Sequence, residues 1–177
     1  ERNRTASFSG IVLTDEGHLL APYTIRPNSG NRIEAYIGED RYLGRAIQYD
    51  ESIGMTVVKI EPRAPLAPMD IALEHELLQG QSAFTVVASD ESSEYGRFVF
   101  HTFCQGVIEG RYRQYSLSPL PGSARGAPLY NQTGQLVGLV NQANGWVLSD
   151  LVVDLNELLA RATGEEDADE DSEDAWF

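Results

Sequence analysis

The feature that most constrains this chain is a succession of short β-type runs, each closed by a turn signal, over its first 110 residues. Runs of four to eight residues, rich in Val, Ile, Leu and Tyr and bounded by Gly, Asp or Pro, are typical of strands. The first set predicts strands at residues 8–14, 18–21, 33–37, 42–48 and 55–60. Short strands joined by tight turns favour a sandwich or a barrel over a wound α/β sheet.

A second set of similar runs follows a Pro-containing connection at residues 62–82. It predicts strands at residues 83–88, 98–108, 127–130, 135–141 and 146–148. The two sets indicate an all-β domain at residues 1–164, built from two similar β units at about 5–65 and 80–148. From Ser149 onward, Leu151, Leu155 and Leu158 recur at helical spacing, which predicts a helix over about 150–163 that ends at Gly164.

The charge of the chain is unevenly distributed. There are 27 acidic and 13 basic residues, a formal net charge of −14, but residues 165–174 hold eight carboxylates and no cation. Residues 1–164 therefore carry 19 acidic and 13 basic residues, a charge of only −6. Like-charge repulsion predicts a disordered, solvated acidic tail at residues 165–177. The acidic balance argues against nucleic acid or an anionic membrane as the main partner and favours a protein or peptide.

Two large aromatic residues, Trp176 and Phe177, close this tail. Aromatic side chains on a flexible tether are suited to docking in an apolar groove or a carboxylate-capturing loop. The alternative is a terminus without a partner. The carboxylates before them lack the ligand spacing and central glycine of a calcium loop, so they are interpreted as a solvated charge run.

The sequence contains no pattern that indicates a metal or a cofactor. It has no phosphate-binding glycine loop, no dinucleotide-binding motif and no His-Glu-x-x-His. The single cysteine, Cys104, excludes an intramolecular disulfide, and its apolar neighbours predict a buried, inert thiol. The alternation of Arg and Tyr at residues 111–115 predicts an exposed edge or loop with cation–π contacts.

The longest apolar runs fall far short of the roughly 20 residues that span a bilayer. Membrane association is therefore expected only through a partner or an unseen anchor. The chain begins at Glu1 rather than Met, so it is interpreted as either a processed mature protein or a piece of a longer one.

Three segments in a fixed order carry a family resemblance. They are Ser-Gly-Ile-Val-Leu-Thr-Asp-Glu-Gly-His-Leu-Leu-Ala at 9–21, Asp-Glu-Ser-Ile-Gly-Met-Thr-Val-Val-Lys-Ile at 50–60, and Gly-Ser-Ala-Arg-Gly-Ala-Pro-Leu-Tyr-Asn at 122–131. In this order they resemble the HtrA/Deg type of trypsin-like serine proteases, over roughly residues 7–160. The resemblance implies two β-barrels of the six-stranded type with a C-terminal helix, and a periplasmic or other extracytoplasmic location.

The resemblance places Tyr23, Gly54 and Ala124 where the family has its catalytic histidine, aspartate and serine. The family mechanism needs an imidazole base, a carboxylate that orients it and a hydroxyl nucleophile. A tyrosine with a pKa near about 10 is a poor base at neutral pH, and glycine and alanine supply neither of the other groups. A lone Ala124 could arise from a laboratory substitution, but the joint loss favours natural decay. We therefore expect a catalytically inactive homologue, not an enzyme.

The remaining cleft residues are expected to bind rather than to react. The backbone N–H groups of Gly122 and Ala124 could still form an oxyanion hole, because such a hole needs no particular side chain. Arg125 breaks the family's glycine pair and is expected to fill the former cleft partly or to bind a carboxylate there, unless the loop has simply drifted. The candidate binding residues are thus Gly122, Ser123 and Arg125, together with Trp176 and Phe177.

Two classes of function follow. The first is a protein-binding, scaffolding or regulatory module, as a possible subunit of a larger membrane-associated assembly. The alternative is a serine hydrolase with a rearranged nucleophile, for which Ser123 is the nearest hydroxyl. Ser123 is adjacent to the lost nucleophile on a turn, where neighbouring side chains point in different directions.

Overall fold

The computed structural model of the chain describes residues 8–69, 75–88, 97–141 and 144–164. Strands are the main secondary structure of these residues, and one helix closes the domain. The elements in chain order are β1 (Ile11–Val12), β2 (His18–Ala21), β3 (Ile33–Ile37), β4 (Asp40–Asp50), β5 (Met55–Lys59), β6 (Ser82–Ala88), β7 (Arg97–Ile108), β8 (Gln114–Leu117), β9 (Pro128–Asn131), β10 (Leu136–Val140), β11 (Asn144–Val147) and α1 (Leu148–Thr163).

The first unit is a five-stranded antiparallel sheet in the order β1-β2-β5-β4-β3. Its central strand, β5, pairs with β2 and β4, and its first four residues, Met55 to Val58, are buried. Three of these four are apolar and the fourth is the β-branched Thr56, a composition suited to a strand covered on both faces. A complete barrel was expected here. Within the described residues the sheet stays open, because its edge strands β1 and β3 do not pair with each other. The edge strand β1 is short and pairs with β2 at Ile11 and Val12.

The second unit is a closed barrel in the order β10-β11-β8-β7-β6-β9, as expected. One of its strands was missed in the sequence. The Arg/Tyr run was expected to be an edge or loop, but Gln114 and Tyr115 belong to β8, which pairs with β7 on one side and β11 on the other. The expected cation–π contact is present only at the start of the run, where the Arg111 guanidinium carbon lies 5.2 Å from the centroid of the Tyr112 ring. Four residues with alternating polarity are too short to distinguish a barrel strand from a loop.

The buried apolar residues form two clusters. One fills the barrel and includes Cys104, which is buried as expected; burial raises the pKa of its thiol. The other lies between the units, where Leu20 of the sheet and Leu139 of the barrel pack with the helix residues Leu151 and Leu158.

The helix begins two residues earlier than the sequence indicated and ends as expected. Its buried face consists of Leu148, Leu151, Leu155 and Leu158, which recur every three or four residues. Gly164 ends it in the left-handed conformation, with φ 78° and its N–H bonded to the carbonyl of Ala160. Because this face packs against β4 and β10, the helix joins the two units.

The acidic tail at residues 165–177, with Trp176 and Phe177, lies outside the described residues. Among the described residues, α1 does not have the length and apolarity that a membrane-spanning helix requires.

Candidate functional site

The first two positions that the resemblance aligns with the triad lie on adjacent segments of the open sheet. Tyr23 follows β2, and Gly54 ends the turn before β5, with φ +65°. The Thr56 hydroxyl links the two segments: it donates to the Tyr23 carbonyl at 2.6 Å and accepts the N–H of Ile25 at 2.8 Å. The backbone around Tyr23 is therefore held by β5, although neither position carries a catalytic side chain.

The third position, Ala124, is buried in a short 3-10 turn, Gly122–Ala124, that comes from the barrel. Its side chain is 0% exposed and belongs to the barrel's core cluster. Its backbone N–H donates to the carbonyl of Pro121 at 2.9 Å. The Ala124 N–H, one of the two donors that could still have formed an oxyanion hole, is therefore already bonded within the turn.

A stack of three side chains lies next to Ala124, where the resemblance places the active-site cleft. The guanidinium carbon of Arg125 lies 4.0 Å from the centroid of the Tyr23 ring. The ring of Phe8 lies 4.8 Å from that of Tyr23, at an interplanar angle of 34°. The N–H of Ser9 donates to the Arg125 carbonyl at 3.2 Å, so the segment before β1 is bonded to the turn. Arg125 therefore lies against the residue at the histidine position, through an attraction between cation and ring.

The two units approach closely beside this stack. Gly126 has φ +80°, and a Cβ there would lie 2.3 Å from Pro22 Cγ and 2.4 Å from the Ser9 carbonyl oxygen. Its N–H donates to the carbonyl of Val140 at 2.7 Å. Only glycine fits this contact, so the turn after Ala124 is packed directly against the segment that carries Tyr23.

The other groups that could take over catalysis have partners elsewhere. His18 Nδ1 lies 2.7 Å from Thr14 Oγ1, and Asp50 accepts from the backbone N–H and hydroxyl of Ser52. His75 Nε2 lies 2.7 Å from Gln135 Nε2. Ser123 is exposed, and no hydrogen bond between it and another described side chain is present.

Among the described residues, no cluster of three His, Cys, Asp or Glu side chains could hold a metal ion. A depression of about 520 Å³ is present, but it lies on the outer face of the barrel and is lined by residues of β6 and β7 with Ser118 and Gln132. Two of these, Phe84 and His101, have ring centroids 6.3 Å apart. This depression lies away from the triad positions.

The sequence identified Arg125 and the three triad positions, and the structure brings Arg125 and Tyr23 into contact. Sequence reasoning missed Phe8, Pro22 and Thr56. Phe8 stands directly before the Ser-Gly-apolar run, which is the one local signal that could have drawn attention to it.

The family follows from a comparison with known domains. Residues 7–139, more than half of the chain, match the trypsin-like peptidase domain. The chain therefore belongs to the trypsin-like peptidase domain family. A comparison with curated proteins finds no match.

Solved structures of the same fold are similar over most of the chain. A serine endoprotease from Yersinia pestis matches 91% of this chain at 19% identity, with a TM-score of 0.64. This chain spans only 60% of that protein. The MamO protease domain from Magnetospirillum magneticum matches 85% of this chain at 15% identity, with 87% of its own length covered and a TM-score of 0.61. An inactive serine-to-alanine mutant of Rv3671c from M. tuberculosis H37Rv matches 86% at 17% identity, with 82% of its own length covered and a TM-score of 0.65.

Proposed function

We propose that this chain is a catalytically inactive trypsin-like domain, a pseudoprotease, that binds a protein or peptide partner through its former active-site cleft. The observation that carries the proposal is the state of Ala124, the residue at the nucleophile position. Its side chain is 0% exposed, and its N–H is bonded to Pro121. A protease needs an exposed nucleophile and free donors at this point.

The stack beside Ala124 supports a binding role. Arg125 and Tyr23 are both half-buried and present a cation and an aromatic ring on one surface. Arginine and tyrosine are enriched among the residues that contribute most to protein interfaces. A surface of this kind is suited to a peptide that is bound and not cleaved.

The proposal is tested by a search for hydrolysis. Purified full-length protein should not cleave unfolded casein, and a fluorophosphonate probe, which labels activated serines, should not label it. Casein cleavage that is lost on Ser123→Ala would refute the proposal. Ala124→Ser serves as a matched variant: it restores the hydroxyl but not the base, so it too should remain inactive.

The alternative function is a hydrolase with Ser123 as a displaced nucleophile. Its support is that Ser123 is exposed beside the former active site. Against it, the hydrogen-bond partners of His18 and His75 are Thr14 and Gln135, so neither imidazole has Ser123 as its partner. Labelling by the fluorophosphonate probe that disappears in Ser123→Ala would establish this alternative.

A scaffolding or regulatory role in a larger membrane-associated assembly, in the periplasm or elsewhere outside the cytoplasm, is part of the same proposal. Its support is the resemblance to HtrA/Deg-type proteases.

Under this proposal Trp176 and Phe177 supply a second contact with the partner. Deleting both should weaken co-purification and leave the melting temperature nearly unchanged. Equal recovery of the partner by the two proteins would exclude a role for these residues, and recovery of a free soluble monomer from cells would argue against an assembly.

A further inference from the structure

The Arg125 guanidinium is held in a way that leaves its hydrogen-bonding edge available. It lies over the face of the Tyr23 ring, with its central carbon 4.0 Å from the ring centroid. A stacked guanidinium uses its face for the aromatic contact, while its N–H donors lie in its own plane and point away from the ring. The Phe8 ring packs on the same Tyr23 ring, with the two centroids 4.8 Å apart. The cation is thus positioned before any ligand arrives.

Arg125 differs from most arginines of the described residues in lacking an anionic partner there. The guanidinium groups that form salt bridges with described carboxylates are those of Arg26, Arg32, Arg41, Arg63, Arg113 and Arg161. Arg125 forms no such bridge and no side-chain hydrogen bond within the described part of the chain. Within the described residues, this half-buried cation contacts an aromatic ring and no carboxylate, an arrangement suited to an external anion.

The geometry points to a carboxylate as this anion. We propose that Arg125, stacked on Tyr23, is the receptor for a carboxylate of a bound peptide, which its N–H edge holds in a bidentate pair. The proposal deepens the function proposed above and rests on it. A planar monoanion matches the guanidinium fork. A phosphate dianion fits less well, because the body around the site carries a charge of −6 and repels a doubly charged ligand more strongly.

A peptide offers a carboxylate either at its C-terminus or on an Asp or Glu side chain. Three synthetic probes separate these sources: acetyl-Ala-Gly-Phe with a free carboxylate, its C-terminal amide, and acetyl-Ala-Glu-Phe amide. Binding of each to the full-length protein is measured by calorimetry and by the shifts of the Tyr23 ring protons in NMR. At least one carboxylate probe should bind about tenfold more tightly than the neutral amide, which corresponds to a single charge-assisted contact.

Substitution of Arg125 should remove this preference. Arg125→Ala should bind all three probes equally, and Arg125→Lys, which keeps the charge but loses the fork and the planar stack, should retain only part of the preference. Arg111→Ala is the matched control, since Arg111 also lies over a tyrosine, at 5.2 Å, but on an exposed segment away from the cleft. It should leave the preference intact. Melting temperatures of all variants show that each one folds.

The proposal is overturned if the neutral amide binds as tightly as both carboxylate probes, if Arg125→Ala keeps the preference, or if no probe binds at millimolar concentration. Its failure is distinguishable from that of the proposed function. A natural partner that still binds Arg125→Ala would exclude the carboxylate contact and leave the binding role intact. Cleavage of casein by the wild-type protein would refute the inactive state whatever the probes show.

Discussion

The Tyr115 hydroxyl accepts a hydrogen bond from the backbone N–H of Leu77 at 3.1 Å, in the interior of the barrel. Leu77 belongs to the connection between the two units, and both side chains are buried. The same hydroxyl lies 3.4 Å from the carbonyl of Val137. Burial raises the pKa of Tyr115 to about 12, so the phenol stays protonated and can donate to Val137 while accepting from Leu77. A single side chain thus fastens the connection to the barrel.

Replacing Tyr115 with Phe should destabilise the domain. The change leaves the Leu77 N–H buried without its acceptor, and an unsatisfied buried donor costs about 1 to 3 kcal/mol. The loss is measured as the free energy of unfolding in urea. Tyr130→Phe is the control: burial also raises the pKa of Tyr130, but its hydroxyl has no described side-chain partner, so the change should stay below about 0.5 kcal/mol. Equal effects of the two variants would contradict the role given to Tyr115.

Gly126→Ala should be among the most damaging small substitutions in the described part of the chain. The added methyl group would overlap Pro22 and the Ser9 carbonyl, and φ +80° is unfavourable for alanine. We expect a loss of about 2 kcal/mol or more, since strain and overpacking add. Gly122→Ala, where no atom lies within 4 Å of the new Cβ, should be nearly neutral. Comparable melting temperatures for the two variants would show that the units do not meet as described.

Arg113 is expected to stabilise the attachment of the helix. Its guanidinium bonds Asp150 in the first turn of the helix at 2.7 Å and Glu76 of the connection at 2.8 Å, and its backbone N–H also donates to Asp150. Because the side chain is 33% exposed, solvent screening limits the contribution, and Arg113→Ala should cost about 1 kcal/mol. Arg63→Ala is the control, since Arg63 pairs with Asp40 while 76% exposed and should contribute almost nothing.

The effect of Arg113 should depend on pH. Hydrogen bonds from Arg113 are the main cause that lowers the pKa of Asp150 and that of Glu76 below their ordinary values of 3.8 and 4.5. A carboxyl with a lowered pKa in the folded protein stabilises it above its unfolded pKa, and this stabilisation is lost as the pH falls. The difference between wild type and Arg113→Ala should therefore be full at pH 7 and shrink below about pH 4.5. A difference that stays constant down to pH 3 would contradict this assignment.

His18 should make the domain less stable in mild acid. Burial, followed by repulsion from Lys59, lowers the pKa of His18 below its ordinary value of 6.5. The unfolded chain then binds the proton more readily than the folded one, so stability declines as the pH falls below about 6.5. His18→Gln should reduce this decline between pH 7.5 and 5.5, and His75→Gln, at an exposed position, should not. Parallel curves for wild type and His18→Gln would refute the prediction.

The sequence predicted most strands of the two sets and the helix, because these elements are encoded by local pattern. The absence of the three catalytic side chains stays a prediction that rests on the identity of single residues at the aligned positions. The β-branched run of β5 and the leucines of the helix have short, regular periods. β8 was missed because four residues with alternating polarity indicate a loop as readily as a strand. Its barrel position depends on pairing with β7, which precedes it, and with β11, which lies beyond β9 and β10 in the sequence.

For the candidate site, too, one part could be predicted from the sequence and another part depends on tertiary contacts. From the sequence alone we predicted that Tyr23, Gly54 and Ala124, the residues at the aligned triad positions, lack the groups that the family's chemistry needs. The sequence also shows that an arginine follows Ala124. Only the tertiary structure decided what that arginine does, because the contact of Arg125 with Tyr23 joins residues from different units. The hydrogen bond from the Ala124 N–H to the Pro121 carbonyl could not be predicted from the sequence either. One sequence permits several turn geometries, and packing selects among them.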